Sequence, residues 1–314
     1  MTWLVLLAPP MTVPTATGTG DAEYLAALRQ SLPSALDEHR PELVIVFGDT
    51  TSTIAATLAA SYAGIPIAHV EAGMRSFVHD MPEEISRIVT DRLSRIWFTA
   101  SEAAGANLAR EGLGPVDFVG DTMFDAVTEI LPQLDTAGDV ETRFELAPGH
   151  YVLATVHRAN NTDDPARLKG ILEALGSLPL PVVFPVHPRT RAAIDRHGLQ
   201  PMMEPGRILA LEPLRYAETL RLARRSRRVF TDSGGLQKEA LYLGVPCTTL
   251  RDETEWVETV ESGWNVLAGA DPERIRSSLD AQPPAESLPR PYGDGRAGEA
   301  IAGRVAAWLE ADQR

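Results

Sequence analysis

Short apolar runs recur along most of this chain, and the segments between them carry helical patterns. Parallel strands need long crossovers, usually helices, and strands covered on both faces stay apolar throughout, so this alternation reads as parallel sheets clothed by helices. In the first half it predicts strands at Leu43–Phe47, Ile65–Val70, Ile96–Ala100 and Phe118–Val119. Helices are predicted at Glu23–Asp37, Thr51–Tyr62, Pro82–Leu93, Ser101–Glu111 and Thr122–Leu131. Periodicity lapses around Asp135–Ala147, and the design then repeats with strands at Tyr151–Thr155, Val182–Val186, Ile208–Leu211, Arg228–Thr231 and Val245–Leu250. Helices there are expected at Pro165–Leu175, Arg215–Ala223 and Gly235–Tyr242, and helical spacing resumes from Ala297 to Leu309. The expected fold class is α/β, with two doubly wound Rossmann-like domains facing a cleft. Residues 1–140 form the first domain, 141–290 the second, and 291–314 a C-terminal helix.

Composition narrows the partners. Forty-three acidic against 29 basic residues give a net charge of −14, which disfavours nonspecific attraction to nucleic acid or to an anionic membrane. A single cysteine, Cys247, rules out disulfides and cysteine-rich metal sites, and it is expected to be a buried small side chain. The apolar opening Trp3–Ala8 lacks a basic flank and stops at Pro9-Pro10, too short for a secretory core. The chain reads as cytoplasmic.

Three carboxylates fall where strands should end or helices begin: Asp49 after the Gly48 turn, Glu71 before Ala72-Gly73, and Glu83 after Met81-Pro82. In doubly wound sheets, the C-terminal strand ends deliver side chains into the ligand crevice. Further along, Thr231-Asp232-Ser233-Gly234-Gly235 joins a strand to a helix, where unpaired first-turn amides and a close backbone suit a phosphate. Glu239 follows on that helix, placed to accept ribose hydroxyls. Alternatively, Ser233 only caps the helix and the glycines relieve crowding. His157-Arg158 and His187 also follow strands. Either histidine alone fits a structural donor equally well, but two at equivalent strand ends, one followed by arginine, favour an anionic ligand. Met202-Met203 reads as packing, and His39, His79, His150 and His197 carry no positional argument.

Gly48-Asp49-Thr50, His69-Val70-Glu71-Ala72-Gly73, Pro82-Glu83-Glu84, Val119-Gly120-Asp121, His157-Arg158, the Thr231–Gly235 turn and Leu250–Trp256 stand in the order seen in non-hydrolysing UDP-N-acetylglucosamine 2-epimerases. From about Gly18 to the C-terminus, the chain resembles that family. The resemblance implies a glycosyltransferase-B architecture, a homodimer, and a C-terminal helix that crosses back to the first domain. It implies interconversion of UDP-N-acetylglucosamine and UDP-N-acetylmannosamine by elimination and readdition of UDP, with no redox cofactor and no metal. Matched to the family motifs, Asp49, Glu71 and Glu83 become the acid/base set. His157, counted with the catalytic residues, and Arg158 face the departing diphosphate, Ser233, Gly234 and Gly235 hold it, and Glu239 holds ribose. Arg87, one turn beyond Glu83, and His187 are further substrate-binding candidates.

The chain also departs from that pattern. The family's opening strand, its Gly-Thr-Arg-Pro-Glu turn and the following lysine-bearing helix are not found, so the first domain is expected to lack its opening β-α unit and part of an allosteric subsite. Weak, salt-sensitive binding without substrate activation is the corresponding expectation. Asn160 stands where the family usually carries a glutamate. A hydrolysing or altered-specificity UDP-sugar enzyme, or a noncatalytic nucleotide-sugar-binding homologue, stays open beside the leading reading.

Overall fold

The computed structural model describes residues 4–5, 21–134, 140–203, 207–284 and 288–312. The proline stop at Pro9-Pro10, the start of the resemblance at Gly18 and the first part of the expected interdomain segment, 135–139, lie outside them. The chain divides into two compact units, residues 1–125 with 291–314, and residues 126–290.

Strands β1 (Leu4–Val5), β2 (Val44–Phe47), β3 (Ile67–Val70), β4 (Ile96–Thr99) and β5 (Asp117–Phe118) form one sheet in that spatial order, every pair parallel. The helices between them are α1 (Asp21–His39), α2 (Thr51–Tyr62), α3 (Pro82–Leu93) and α4 (Glu102–Arg110), and α5 (Thr122–Ile130) follows β5. Leu28, Leu32 and Leu36 of α1 and Ala55, Ala56 and Ala60 of α2 pack on Val44, Val46 and Ile67. The alternate residues Leu43, Ile45, Ala68 and Val70 pack with Ile301, Val305 and Leu309 of the last helix, α14 (Ala297–Asp312). Both faces are therefore covered, which is why β3 is buried throughout.

The second unit has α6 (Val140–Arg143), β6 (Val152–Thr155), α7 (Ala159–Thr162), α8 (Pro165–Gly176), β7 (Val182–Pro185), α9 (Pro188–His197), β8 (Ile208–Leu211), α10 (Tyr216–Arg225) and β9 (Val229–Thr231). It continues with α11 (Gly234–Tyr242), β10 (Cys247–Thr249), α12 (Val257–Glu261), β11 (Asn265–Leu267) and α13 (Pro272–Ser278). Its six-stranded parallel sheet runs β11-β10-β9-β6-β7-β8. The α/β class with parallel sheets is as expected. The differences concern weakly patterned segments, among them the short helices α6, α7, α12 and α13, which the sequence does not predict. The sequence predicts no strand before Leu43, yet Leu4–Val5 pairs with Val44–Ile45. It also omits β11, only three residues long, and α9, whose buried Thr190, Ala193 and Ile194 are set among arginines.

Helix α3 is inverted relative to an ordinary amphipathic helix. Its buried residues are Glu84, Ser86, Arg87, Thr90 and Asp91, all polar, while Ile85 and Leu93 are exposed. A polar inward face is costly to bury unless its groups find partners, so the sheet edge beneath α3 must supply them.

Candidate functional site

In the first unit, Phe47 pairs with Val70, so the two chains leave their strands side by side. Gly48, at φ +61°, turns the first away from the sheet and donates its N–H to Val70 O at 3.0 Å. Asp49 follows. On the neighbouring strand, Glu71 itself takes the left-handed conformation, φ +71°. Residues with side chains rarely adopt it, at a cost of about 1–3 kcal/mol, and such strain collects at functional sites. The Glu71 carboxylate reaches toward Gly48: a Cβ there would lie 3.8 Å from Glu71 Oε2. Gly73, at φ +81°, packs so tightly on α4 that a Cβ would run into the Ala104 carbonyl, which fixes the turn carrying Glu71.

Arg87 joins this cluster from α3. Its Nη2 and Nε lie 2.7 and 2.8 Å from Asp49 Oδ2, and its Nη1 donates to Glu84 Oε2 at 2.9 Å. Glu84, 1% exposed, also accepts from Ser76 N (2.8 Å), Ser76 Oγ (2.9 Å) and Phe77 N (3.1 Å). Burial alone raises its pKa, but the bonds from Ser76 and Phe77 and the Arg87 charge outweigh it and hold the group below 4.5. Glu84 is thus an anchor for the 76–77 backbone and Arg87. Glu83, beside it, lies half-buried in the first turn of α3. The structure brings Asp49, Glu71 and Arg87 together and sets Glu83 on the helix that carries Arg87.

In the second unit, Thr155 pairs with Thr231, so His157-Arg158 and Asp232-Ser233 also leave adjacent strands. Asp232, fully buried, accepts from His157 N (3.0 Å), Arg158 N (2.9 Å) and Asn161 Nδ2 (3.1 Å). His157 Nδ1 lies 3.3 Å from Asp232 Oδ1, and the His157 and His187 rings are 5.4 Å apart. Burial pushes the His157 pKa below 6.5. Asp232 opposes that shift, while His187, Arg158 and Arg189 add to it. His187 is exposed, and its Nδ1 accepts from Arg189 N at 3.2 Å, capping α9.

Ser233 caps α11, its Oγ accepting from Leu236 N. Gly234 sits in a crowded place, since a Cβ would come within 3.0 Å of Glu255 Oε1 and 3.1 Å of Trp256 Nε1. The plainer reading of this turn therefore holds in part, whatever the first-turn amides of Gly234 and Gly235 bind. Glu239, buried on α11, accepts at Oε1 from Tyr216 Oη at 2.7 Å. Tyr216, Asp232, Glu84 and the buried Asp91 and His69 were not assigned roles from sequence. His69, Glu84 and Asp232 stand inside the quoted motifs, whereas Tyr216 and Asp91 carry no signal of their own in the sequence. Among the described residues, no helix is long and apolar enough to cross a membrane.

Known proteins resemble this chain in sequence and in fold. A sequence profile for the family described as UDP-N-acetylglucosamine 2-epimerase matches residues 5–306. A Methanococcus maripaludis protein named UDP-N-acetylglucosamine 2-epimerase homolog is 42% identical over 270 residues, covering 85% of this chain and 76% of its own length. The UDP-2,3-diacetamido-2,3-dideoxy-D-glucuronate 2-epimerase of Pseudomonas aeruginosa is 43% identical over 280 residues, covering 86% and 76%. A crystal structure of Methanocaldococcus jannaschii UDP-GlcNAc 2-epimerase, in complex with UDP-GlcNAc and UDP, matches with a TM-score of 0.86 at 36% identity. That match spans 92% of this chain and 82% of the other. The fold is that of glycosyltransferase-B proteins. With a profile spanning nearly its whole length and relatives this similar, the chain belongs to the UDP-N-acetylglucosamine 2-epimerase family.

Proposed function

We propose that this protein interconverts UDP-N-acetylglucosamine and UDP-N-acetylmannosamine. A base removes the C2 proton as the C1–O bond to UDP breaks, leaving a 2-acetamidoglucal with a C1–C2 double bond. UDP then adds back at C1, and an acid delivers a proton to the opposite face of C2. Such chemistry needs a placed base and a placed acid. The observation that carries the reading is the juxtaposition of Asp49 with a strained Glu71 at adjacent strand ends, with Arg87 holding Asp49. Glu83 completes the set. His157, Arg158, His187, Ser233, Gly234 and Gly235 serve the diphosphate, and Glu239 the ribose. Incubation with UDP-N-acetylglucosamine in deuterated water, followed by NMR, should give the 2-epimer with deuterium at C2. Free UDP without epimer would instead mark a hydrolysing enzyme, and no exchange a noncatalytic homologue. The 43% identity to a diacetamido-glucuronate 2-epimerase favours one variant, epimerisation of a more decorated UDP-sugar, and that nucleotide belongs in the same assay.

The depressed His157 pKa gives a pH prediction. A bound diphosphate favours the imidazolium, so UDP binding should take up a proton as pH falls toward the lowered value. UDP loses charge over the same range, so the informative quantity is the ratio of wild-type to His157→Asn affinity. That ratio should rise about three- to tenfold from pH 8 to pH 6; a flat ratio removes His157 from the diphosphate. In the unliganded protein the sign reverses. The unfolded chain protonates His157 more readily than the folded one, so this contribution to stability is present above pH 6.5 and is lost as pH falls toward the lowered value.

A homodimer is the further proposal for this unit. Helices α2 and α3 pack on each other and expose Leu58, Tyr62 (91%), Ile85 and Leu93. An apolar face opposite a polar buried one suits a partner helix. Sedimentation should show a dimer that Tyr62→Asp with Ile85→Asp turns into a monomer.

A further inference from the structure

A buried polar cluster lies directly behind the proposed acids, on residues that the chemistry above does not use. His69, on β3, and Asp91, on α3, are both 0% exposed, and His69 Nδ1 and Asp91 Oδ1 lie 2.7 Å apart. His69 Nε2 sits 2.9 Å from Gly48 O, the carbonyl that immediately precedes Asp49. The second Asp91 oxygen accepts from Gly73 N at 3.2 Å, just past Glu71, and lies 2.8 Å from Arg75 Nη1. Arg75 is itself clamped on Glu111 at 2.7 and 3.0 Å. Asp91 stands roughly two turns beyond Glu83, which lies in the first turn of the same helix.

One carboxylate therefore ties together the three segments that carry Asp49, Glu71 and Glu83. Burying a carboxylate costs several kcal/mol before its partners repay it, and an apolar side chain would pack between strand and helix without that cost. What an apolar contact lacks is direction. A hydrogen bond fixes the Gly73 amide on α3 and the His69 ring, 2.9 Å from the Gly48 carbonyl, sets that carbonyl's position, while Glu71 is held in a conformation that it would otherwise leave.

We propose that Asp91, acting through His69 and the Gly73 amide, is the positioning residue that sets the mutual geometry of the proposed acids. The proposal rests on the epimerase reading. Displacing a reacting group by about 1 Å can cost a hundredfold. An acid set out of register also loses its timing, so the glucal escapes before UDP adds back. Asp91→Asn keeps the shape but accepts fewer bonds. We expect its C2 exchange to fall about ten- to a hundredfold, its UDP affinity to stay within about twofold, and its ratio of released UDP to epimer to rise at least severalfold. That ratio does not depend on how much of the protein is folded, so loss of stability alone cannot move it. Should Asp91→Asn not accumulate as folded protein, His69→Gln decides by the same ratio. A wild-type ratio and wild-type exchange per folded molecule in the variant overturn the positioning role while leaving the epimerase reading intact. Wild-type protein without exchange overturns both.

Discussion

Asp49→Asn, Glu71→Gln and Glu83→Gln should each slow C2 proton exchange by roughly two to four orders of magnitude while leaving UDP affinity within severalfold. The C2 proton is weakly acidic, so a missing base or acid falls on the proton-transfer steps rather than on nucleotide binding. The amide replacements are close in shape, which matters most at Glu71. There the left-handed backbone must survive the exchange, and glutamine, like glutamate, brings a Cβ to φ +71°. At Asp49 the replacement weakens the bond to Arg87, so an indirect loss through Arg87 is separable by Arg87→Lys, which keeps the charge and loses the fork. Near-normal exchange in all three amide variants would remove the acid/base assignment. If the acids act as one unit, pairs of substitutions should cost little more than single ones.

Parallel strands with helical crossovers announce themselves because buried strands are continuously apolar, and that pattern placed Asp49, Glu71 and His157 at strand ends from sequence alone. What sequence could not convey is which face of a polar helix turns inward. The sequence predicts helix α3 without saying which side packs, and it buries Glu84, Arg87 and Asp91 while exposing Ile85 and Leu93. Pro82-Glu83-Glu84 likewise offers two acids. Only the fold shows that Glu84 is consumed by Ser76, Phe77 and Arg87. The strain at Glu71 was also invisible, since no glycine marks that position as left-handed. Gly234 carries two readings in sequence, close approach of a phosphate and relief of crowding, and the fold adds weight to the second, since a Cβ there would come within 3.0 Å of Glu255 Oε1 and 3.1 Å of Trp256 Nε1.

Glu239→Ala should weaken UDP binding roughly ten- to a hundredfold, the 1.5–3 kcal/mol carried by a hydrogen bond to a charged group. Glu239 is buried on α11, in the same helix as the Ser233–Gly235 turn proposed to hold the diphosphate. Tyr216 Oη takes one acceptor position on Oε1, and an ionised carboxylate offers about four. Tyr216 thereby fixes the carboxylate in one orientation, and Tyr216→Phe should cost about two- to tenfold through that orientation alone. The ribose assignment is tested by changing the ligand as well as the protein. If Glu239 accepts from the ribose hydroxyls, 2′-deoxy-UDP should bind wild type more weakly than UDP, and the difference should shrink in Glu239→Ala, the two losses failing to add. Calorimetry that finds the same deoxy penalty in both proteins would mean that Glu239 acts on α11 and Tyr216 rather than on the sugar.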